Sequence, residues 1–140
     1  MKTLYTTSVT AKGGRDGKVK SENGILELDV RTPKALGGAS DQFTNPEMLF
    51  AAGYSACFGS ALSLVIGRAK IETGDVSVTA KVSIGQIENG GYGLAVEMDV
   101  NIPQVTLEEA QALTEKAHQI CTYSNATRNN IEVKLAETNN

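Results

Sequence analysis

Residues 48–67 form a run of twenty positions without a single charged side chain, in a chain where charged residues make up 21%. The run is preceded by Thr44-Asn45-Pro46-Glu47, a capping-box sequence with proline in the first turn. We therefore predict a helix that starts here and continues to about Lys70. Because such a helix has no polar face, it must be buried on nearly every side.

A run of about 20 apolar residues is also long enough to cross a bilayer. This run, however, lies between strands that need one another to complete a sheet, and a span would separate them. It also contains several small or polar residues, namely Gly53, Tyr54, Ser55, Gly59, Ser60 and Ser63. We therefore expect the buried helix of a protein that is not in a membrane.

Small residues form a stripe along the predicted helix at helical spacing: Ala52, Ala56, Gly59 and Ser63. Such a stripe lets another backbone approach closely. A helix that is apolar on all sides is hard to bury in so small a monomer, because its surface is large relative to its volume. We predict a homodimer in which two copies of the helix pack together and sheets cover the outside.

Alternation of polar and apolar residues predicts five strands, at residues 4–11, 25–31, 76–87, 92–102 and 131–135. Asn89-Gly90-Gly91 suits a tight hairpin between the third and fourth strands. Thr106-Leu107-Glu108-Glu109 is a second capping box, and the amphipathic helix that follows it ends near Cys121. Residues 123–130 are polar and irregular or briefly helical. The order β-β-α-β-β-α-β predicts an α+β fold, and the length predicts one domain over residues 1–140.

Charge and composition narrow the range of functions. The net charge is −3 and the pI about 5.2, with scattered basic residues, so we expect no nucleic acid partner. The N-terminal residues lack the apolar stretch of a secretory signal, which favours the cytoplasm. The two cysteines do not form a C-x-x-C pair, which argues against a thioredoxin-like motif and a cysteine-rich zinc site.

The two cysteines are the candidate reactive groups. Taken alone, a buried free cysteine is more often an inert small hydrophobe. His118 lies one helical turn before Cys121, and a metal site that also used Cys57 is conceivable. Because no fourth ligand is evident, we expect no metal and place His118 on a helix surface.

Three motifs occur in a recognisable order: residues 14–17 (GRDG), 44–58 (TNPEMLFAAGYSACF) and 121–128 (CTYSNATR). In these motifs, and over essentially its whole length, the chain resembles the organic hydroperoxide resistance proteins, the Ohr branch of the Ohr/OsmC family. The resemblance implies an OsmC-like fold, with antiparallel sheets wrapped around a long buried central helix in an intertwined homodimer. It also implies a thiol-dependent peroxidase for organic hydroperoxides, with no bound cofactor and a protein-bound dihydrolipoyl group as reductant.

The resemblance assigns Cys57 as the peroxidatic cysteine and Cys121 as the resolving cysteine, with Arg15 and Glu47 as the other active-site residues. The assignment suits the chemistry, because a peroxide is attacked by a thiolate and a free cysteine has a pKa of about 8.5. A fixed cation such as Arg15 favours the thiolate, and Glu47 would orient that cation. Alternatively, Arg15 is a solvated turn residue and Glu47 serves only the capping box.

The family usually has proline at the position of Thr122 and glycine at the position of Asn129, and both departures bear on the mobility of the Cys121 loop. Cys57 follows Glu47 by ten positions, which corresponds to an axial rise of about 15 Å along a straight helix. We therefore predict a site that combines Cys57 and Cys121 of one subunit with Glu47, and with Arg15 as a further candidate, from the other.

Apolar neighbours such as Met48, Phe50 and Phe58 favour alkyl or fatty-acid hydroperoxides over hydrogen peroxide, although they also suit a plain core. The alternative function, from a different class, is a non-enzymatic dimeric redox-sensing or binding protein in which the cysteines are structural or signalling groups.

Overall fold

The computed structural model describes all 140 residues, which form two compact units, Met1–Leu49 and Phe50–Asn140. That residues 1–140 form a single domain stays a prediction. Six strands and three helices follow one another along the chain: β1 (Val9–Lys12), β2 (Gly17–Ser21), β3 (Glu27–Val30), α1 (Pro46–Ala69), β4 (Ser77–Gln86), β5 (Tyr92–Asn101), α2 (Leu107–Ile120), α3 (Thr122–Thr127) and β6 (Glu132–Thr138). Two short 3-10 turns lie at Gly14–Asp16 and Lys34–Leu36.

The first unit contains the antiparallel sheet β1-β2-β3. The 3-10 turn at Gly14–Asp16 connects β1 to β2, and Gly13 before it has φ 80°, a left-handed conformation that glycine adopts without strain. Strand β2 was not predicted, because Val19 is its one apolar side chain and Lys18 and Lys20 point to the exposed face. The first predicted strand was too long, since residues 4–8 are not in a strand.

The start of α1 differs from the predicted capping box. The Met48 amide donates to the Asn45 side-chain oxygen at 2.8 Å, so Asn45 caps the helix. The Thr44 hydroxyl instead donates to the Asp29 carbonyl, and the Glu47 carboxylate accepts from Arg15. The prediction that Thr44 and Glu47 form a capping box is therefore wrong, because both side chains have partners elsewhere in the first unit.

The second unit contains the sheet β4-β5-β6. Strands β4 and β5 form the predicted antiparallel hairpin, with Ala80 opposite Met98 and a turn in which Gly90 has φ 81°. Strand β6, however, pairs with β5 in parallel. The expectation of purely antiparallel sheets is wrong for this unit. Because α2 and α3 lie between β5 and β6 along the chain, they supply the crossover that a parallel pair requires.

The core of the second unit forms where α1, α2 and the sheet meet. Tyr54, Phe58 and Leu62 of α1 are fully buried, and the sheet contributes Val96, Met98 and Val100. Helix α2 adds a buried stripe of Ala110, Leu113 and Ala117. Its N-terminus has the predicted capping box, in which the Thr106 side chain accepts from the Glu109 amide and the Glu109 carboxylate accepts from the Thr106 amide.

Helix α1 is buried along one face only. Ala52, Ala56, Ser60, Ser63 and Leu64 are exposed on the other side of the helix in the single chain. Burial on nearly every side depends on the predicted homodimer and stays a prediction. By length and composition alone α1 could cross a membrane, with a mean hydropathy of 1.7 over its most apolar window. Between Met48 and Gly67 the exposed face carries small, apolar and hydroxyl side chains and no charge.

Candidate active site

The two cysteines meet in the second unit. Cys57 is half-buried in the middle of α1, and Cys121 is buried at the junction where α2 ends and α3 begins. Their sulfur atoms lie 3.6 Å apart, and both are free thiols. A disulfide bond is about 2.05 Å long, so the two sulfur atoms need to approach by about 1.5 Å to form one.

A surface pocket of about 360 Å³ opens onto both sulfur-bearing residues. Its walls combine apolar and polar side chains, with one arginine, and comprise Cys57, Ser60, Ala61, Leu64, Arg68, Ile120, Cys121 and Thr122. A pocket of this size and lining is within the range of sites that hold small organic molecules. A ligand in it has direct access to the pair of thiols.

The surroundings of Cys121 favour its neutral thiol. Burial raises the pKa of Cys121, and the neighbouring Cys57 raises it further, whereas the backbone amide and hydroxyl of Ser124 act in the opposite direction. A buried thiol that stays protonated is a poor first nucleophile. Cys121 is therefore better suited to react second, with a group already formed on Cys57.

A buried hydrogen-bond network supports the Cys121 junction. The Tyr54 hydroxyl lies 2.9 Å from the Ser124 hydroxyl and 3.2 Å from the Thr127 hydroxyl, and the Ser124 hydroxyl lies 2.9 Å from His118 Nδ1. The network links α1, α2 and α3. Tyr54, Ser124 and Thr127 were not predicted as site residues, although all three lie in the motifs that carry the family resemblance.

His118 is half-buried, whereas we expected it on the surface of a helix. Burial lowers its pKa, and the charge of Arg128 lowers it further. The guanidinium of Arg128 donates to the His118 carbonyl at 2.7 Å. No group of three or more His, Cys, Asp and Glu side chains is arranged to hold a metal ion.

Arg15 and Glu47 form a two-pronged ion pair within the first unit. Two guanidinium nitrogens of Arg15 donate to the two carboxylate oxygens of Glu47, at 2.9 and 2.5 Å. The hydrogen bonds from Arg15 lower the pKa of Glu47, and Glu47 raises the pKa of Arg15. Both groups stay ionised at neutral pH, and the Arg15 side chain keeps 37% of its surface exposed. A fixed cation of this kind suits the stabilisation of a thiolate.

The two departures from the family pattern occupy positions with clear backbone roles. Asn129 has φ 62°, a left-handed conformation that asparagine tolerates better than most residues other than glycine. Thr122 is the first residue of α3, where proline is favoured because the N–H has no helical partner. Each residue is therefore compatible with the backbone that the more usual residue would adopt.

The four predicted site residues thus occur as two pairs, Arg15 with Glu47 in the first unit and Cys57 with Cys121 in the second. Their catalytic roles stay predictions. Residues 38–136 of the chain match the sequence model of a protein family described as "OsmC-like protein". The chain belongs to the OsmC-like protein family.

Several relatives and solved structures place the chain within the Ohr branch of this family, as predicted. An organic hydroperoxide resistance protein of Xanthomonas axonopodis pv. citri is 49% identical over 135 residues, which cover 96% of this chain and 94% of that protein. The protein OhrB of Bacillus subtilis is 44% identical and covers 94% of this chain, with 96% of its own length covered.

Solved structures of OsmC-like proteins share the fold. The crystal structure of an organic hydroperoxide resistance protein from Elizabethkingia anophelis is 71% identical, covers both chains completely and has a TM-score of 0.96. That of Bacillus subtilis OhrB is 43% identical, covers 97% of this chain and 100% of its own, and has a TM-score of 0.88. The α+β architecture with two three-stranded sheets is thus that of the family.

Proposed function

We propose that this OsmC-like protein is a cytoplasmic thiol peroxidase that reduces organic hydroperoxides to alcohols and thereby protects the cell against oxidative stress. The observation that carries the proposal is the pair of free thiols, 3.6 Å apart, that line one open pocket. Relatives 49% identical over nearly the whole chain are named for organic hydroperoxide resistance, which supports the choice of substrate class.

In the proposed reaction the Cys57 thiolate attacks the distal oxygen of the hydroperoxide. The O–O bond breaks, Cys57 becomes a sulfenic acid, and the alkoxide takes up a proton and leaves as the alcohol. The Cys121 thiol then attacks the Cys57 sulfur, a disulfide forms, and the hydroxyl group departs as water. An external dithiol reduces the disulfide by thiol exchange. We propose that this dithiol is a protein-bound dihydrolipoyl group, as the family resemblance implies.

The Arg15–Glu47 pair has the charge that the first step needs. A guanidinium held by two hydrogen bonds is a fixed cation that stabilises a thiolate, and it also stabilises the alkoxide as negative charge develops on it. Because the ten-residue spacing of Glu47 and Cys57 corresponds to an axial rise of about 15 Å, we propose that a given Cys57 is served by the partner subunit's Arg15 and Glu47.

This arrangement requires a homodimer, and the exposed face of α1 supports one. Ala52, Ala56 and Ser63 are exposed and Gly59 is half-buried, so the small-residue stripe is open in the single chain. An uncharged face of this kind on a long helix is costly to leave in water. We propose that two copies of α1 pack along this stripe and form an intertwined dimer.

Turnover tests the proposal against the alternative of a redox-sensing or binding protein. Purified protein is given an excess of tert-butyl hydroperoxide and of dihydrolipoamide, and peroxide consumption is followed. A peroxidase consumes many equivalents per subunit, whereas a sensor stops after one. A Cys57→Ser variant that kept full activity would exclude the mechanism altogether.

Subunit mixing tests the shared site. Cys57→Ser and Arg15→Ala variants are each expected to be inactive as homodimers. If the site is shared between subunits, a mixed dimer has one site with both Cys57 and the partner subunit's Arg15, so unfolding and refolding the two variants together restores activity. If the site lies within one chain, each subunit of the mixed dimer lacks one essential group and activity stays lost.

A further inference from the structure

Arg68 lies in the same pocket as the two cysteines but has no role in the proposed reaction. It is exposed near the C-terminus of α1 and forms no salt bridge or side-chain hydrogen bond within the chain. Arg15 and Arg31, by contrast, have carboxylate partners. An unpaired guanidinium in an otherwise uncharged pocket is the feature that calls for an explanation.

The pocket residues of α1 differ in chemical character from one end of the pocket to the other. Cys57, Ala61, Leu64 and Arg68 follow one another at intervals of three or four residues, so they lie along one face of the helix. Arg68 follows Cys57 by eleven positions, which corresponds to about 16 Å of axial rise. The pocket therefore has a thiol at one end, an apolar middle and a cation at the other end.

The opposite wall fits the same pattern. Ile120 adds an apolar side chain, and Thr122 lies next to the buried Cys121. The hydroxyl of Ser60 donates to the Ala56 carbonyl of its own helix, so it contributes little to a ligand in the middle of the pocket. An extended molecule with an apolar chain and an anionic end matches this sequence of surfaces.

We propose that Arg68 is a specificity-determining residue that binds the carboxylate of a long-chain hydroperoxide whose peroxide group lies at Cys57. The planar guanidinium presents paired donors that match the two oxygens of a carboxylate. The inference rests on the proposed peroxidase function for the reacting end of the ligand. The recognition of the carboxylate rests on Arg68 and the pocket alone.

The size of the effect follows from the exposure of Arg68. An exposed ion pair contributes modestly to binding, equivalent to a factor of about two to five in affinity, and salt weakens it. We therefore expect the wild-type protein to prefer a carboxylate over the uncharged ester of the same chain by about this factor. The preference should disappear at high ionic strength.

The experiment compares kcat/KM for linoleic acid hydroperoxide with kcat/KM for its methyl ester, in wild-type protein and three variants. In Arg68→Gln the acid-to-ester ratio should fall about two- to fivefold, whereas Arg68→Lys should keep most of it. Lys116→Gln, which removes an exposed charge from α2 outside the pocket, should leave the ratio at the wild-type value. An unchanged ratio in Arg68→Gln would overturn the proposal.

A binding measurement separates this proposal from the proposed function. Calorimetry with dodecanoate and methyl dodecanoate, below their aggregation concentrations, needs no turnover. Tighter binding of the carboxylate that is lost in Arg68→Gln supports the proposal even if tert-butyl hydroperoxide is not reduced, in which case the peroxidase function alone fails. Equal binding of the two compounds by the wild-type protein overturns the role of Arg68, whatever the activity.

Discussion

The sulfur atoms of Cys57 and Cys121 lie 3.6 Å apart, although 64 residues separate them in sequence. Because the backbone already holds the two thiols next to each other, one equivalent of organic hydroperoxide should convert the chain to an intramolecular disulfide without a change of fold. Intact-mass spectrometry should show the loss of two hydrogens, and the far-UV circular dichroism should stay the same. A disulfide between chains, seen on a non-reducing gel, would contradict this expectation.

Removal of the resolving thiol should separate the two chemical steps. In Cys121→Ser the first equivalent of hydroperoxide should be reduced as in the wild type, but the Cys57 sulfenic acid then has no partner. Further peroxide should oxidise it to sulfinic acid, which a dithiol does not reverse. Mass spectrometry of the Cys57 peptide after repeated additions should therefore show irreversible oxidation in Cys121→Ser and almost none in the wild type.

Arg15 and Glu47 should matter for the rate more than for the fold. Arg15→Met removes the cation, and we expect kcat/KM for tert-butyl hydroperoxide to fall about 100-fold or more, as when one electrostatic stabiliser of a transition state is lost. Arg15→Lys keeps the charge without the two-pronged geometry, so its loss should be smaller. Equal activity of Arg15→Met and the wild type would remove Arg15 from the site.

The same ion pair predicts a dependence of stability on pH. Because Arg15 lowers the pKa of Glu47 in the folded state, the pair stabilises the protein above the ordinary carboxyl pKa, and this contribution is lost as the pH falls through the lowered value. Wild-type protein should thus be more stable than Glu47→Gln at pH 7. The difference in free energy of unfolding, measured with urea, should shrink once the pH drops below about 4.

Two buried threonines of the second unit allow the same substitution to be compared with and without a hydrogen-bond partner. The Thr127 hydroxyl is hydrogen-bonded to Tyr54 and to the Ser124 carbonyl, whereas the equally buried Thr114 hydroxyl has no partner. Thr127→Val should destabilise the protein by about 0.5–1.5 kcal/mol because it removes the hydrogen bonds of this hydroxyl, while Tyr54 keeps its bond to Ser124. Thr114→Val should be neutral or stabilising. Urea unfolding of the two variants checks both signs, and equal losses would contradict the role of the network.

The exposed stripe on α1 should control the oligomeric state. Ala56→Lys places a charge in the proposed contact between two copies of α1, so it should yield a monomer by analytical ultracentrifugation and lose peroxidase activity. Ala112→Lys introduces the same charge at an exposed alanine of α2 and should leave both properties unchanged. A dimer that persisted in Ala56→Lys would place the interface elsewhere.

The sequence predicted those elements whose signal is local. Strands β4 and β5 alternate cleanly, and α2 begins with a capping box whose two hydrogen bonds both form. Strand β2 has a single apolar residue, so periodicity could not reveal it. The parallel pairing of β6 could not be predicted either, because alternation shows which side of a strand is buried but not which strand it pairs with.

Other features depend on contacts between residues that are distant in sequence, so the local sequence could not predict them. Thr44 and Asn45 are both good N-cap residues, and Asn45 takes that role while Thr44 bonds to the Asp29 carbonyl. The motifs identified Cys57 and Cys121, but the distance between their sulfur atoms needed the fold. Tyr54 and Ser124 lie in the same motifs, yet a tyrosine in an apolar helix and a serine in a polar segment have no local signal for a shared hydrogen bond.

A single-turnover measurement in the absence of any reductant shows most directly whether Cys57 carries the reaction. Reduced protein is mixed with one equivalent of cumene hydroperoxide, and the alcohol formed is quantified for the wild type, Cys57→Ser and Cys121→Ser. We predict about one alcohol per subunit for the wild type and Cys121→Ser, since each keeps the nucleophile, and none for Cys57→Ser. Stoichiometric alcohol from Cys57→Ser, or none from Cys121→Ser, would show that Cys57 is not the nucleophile.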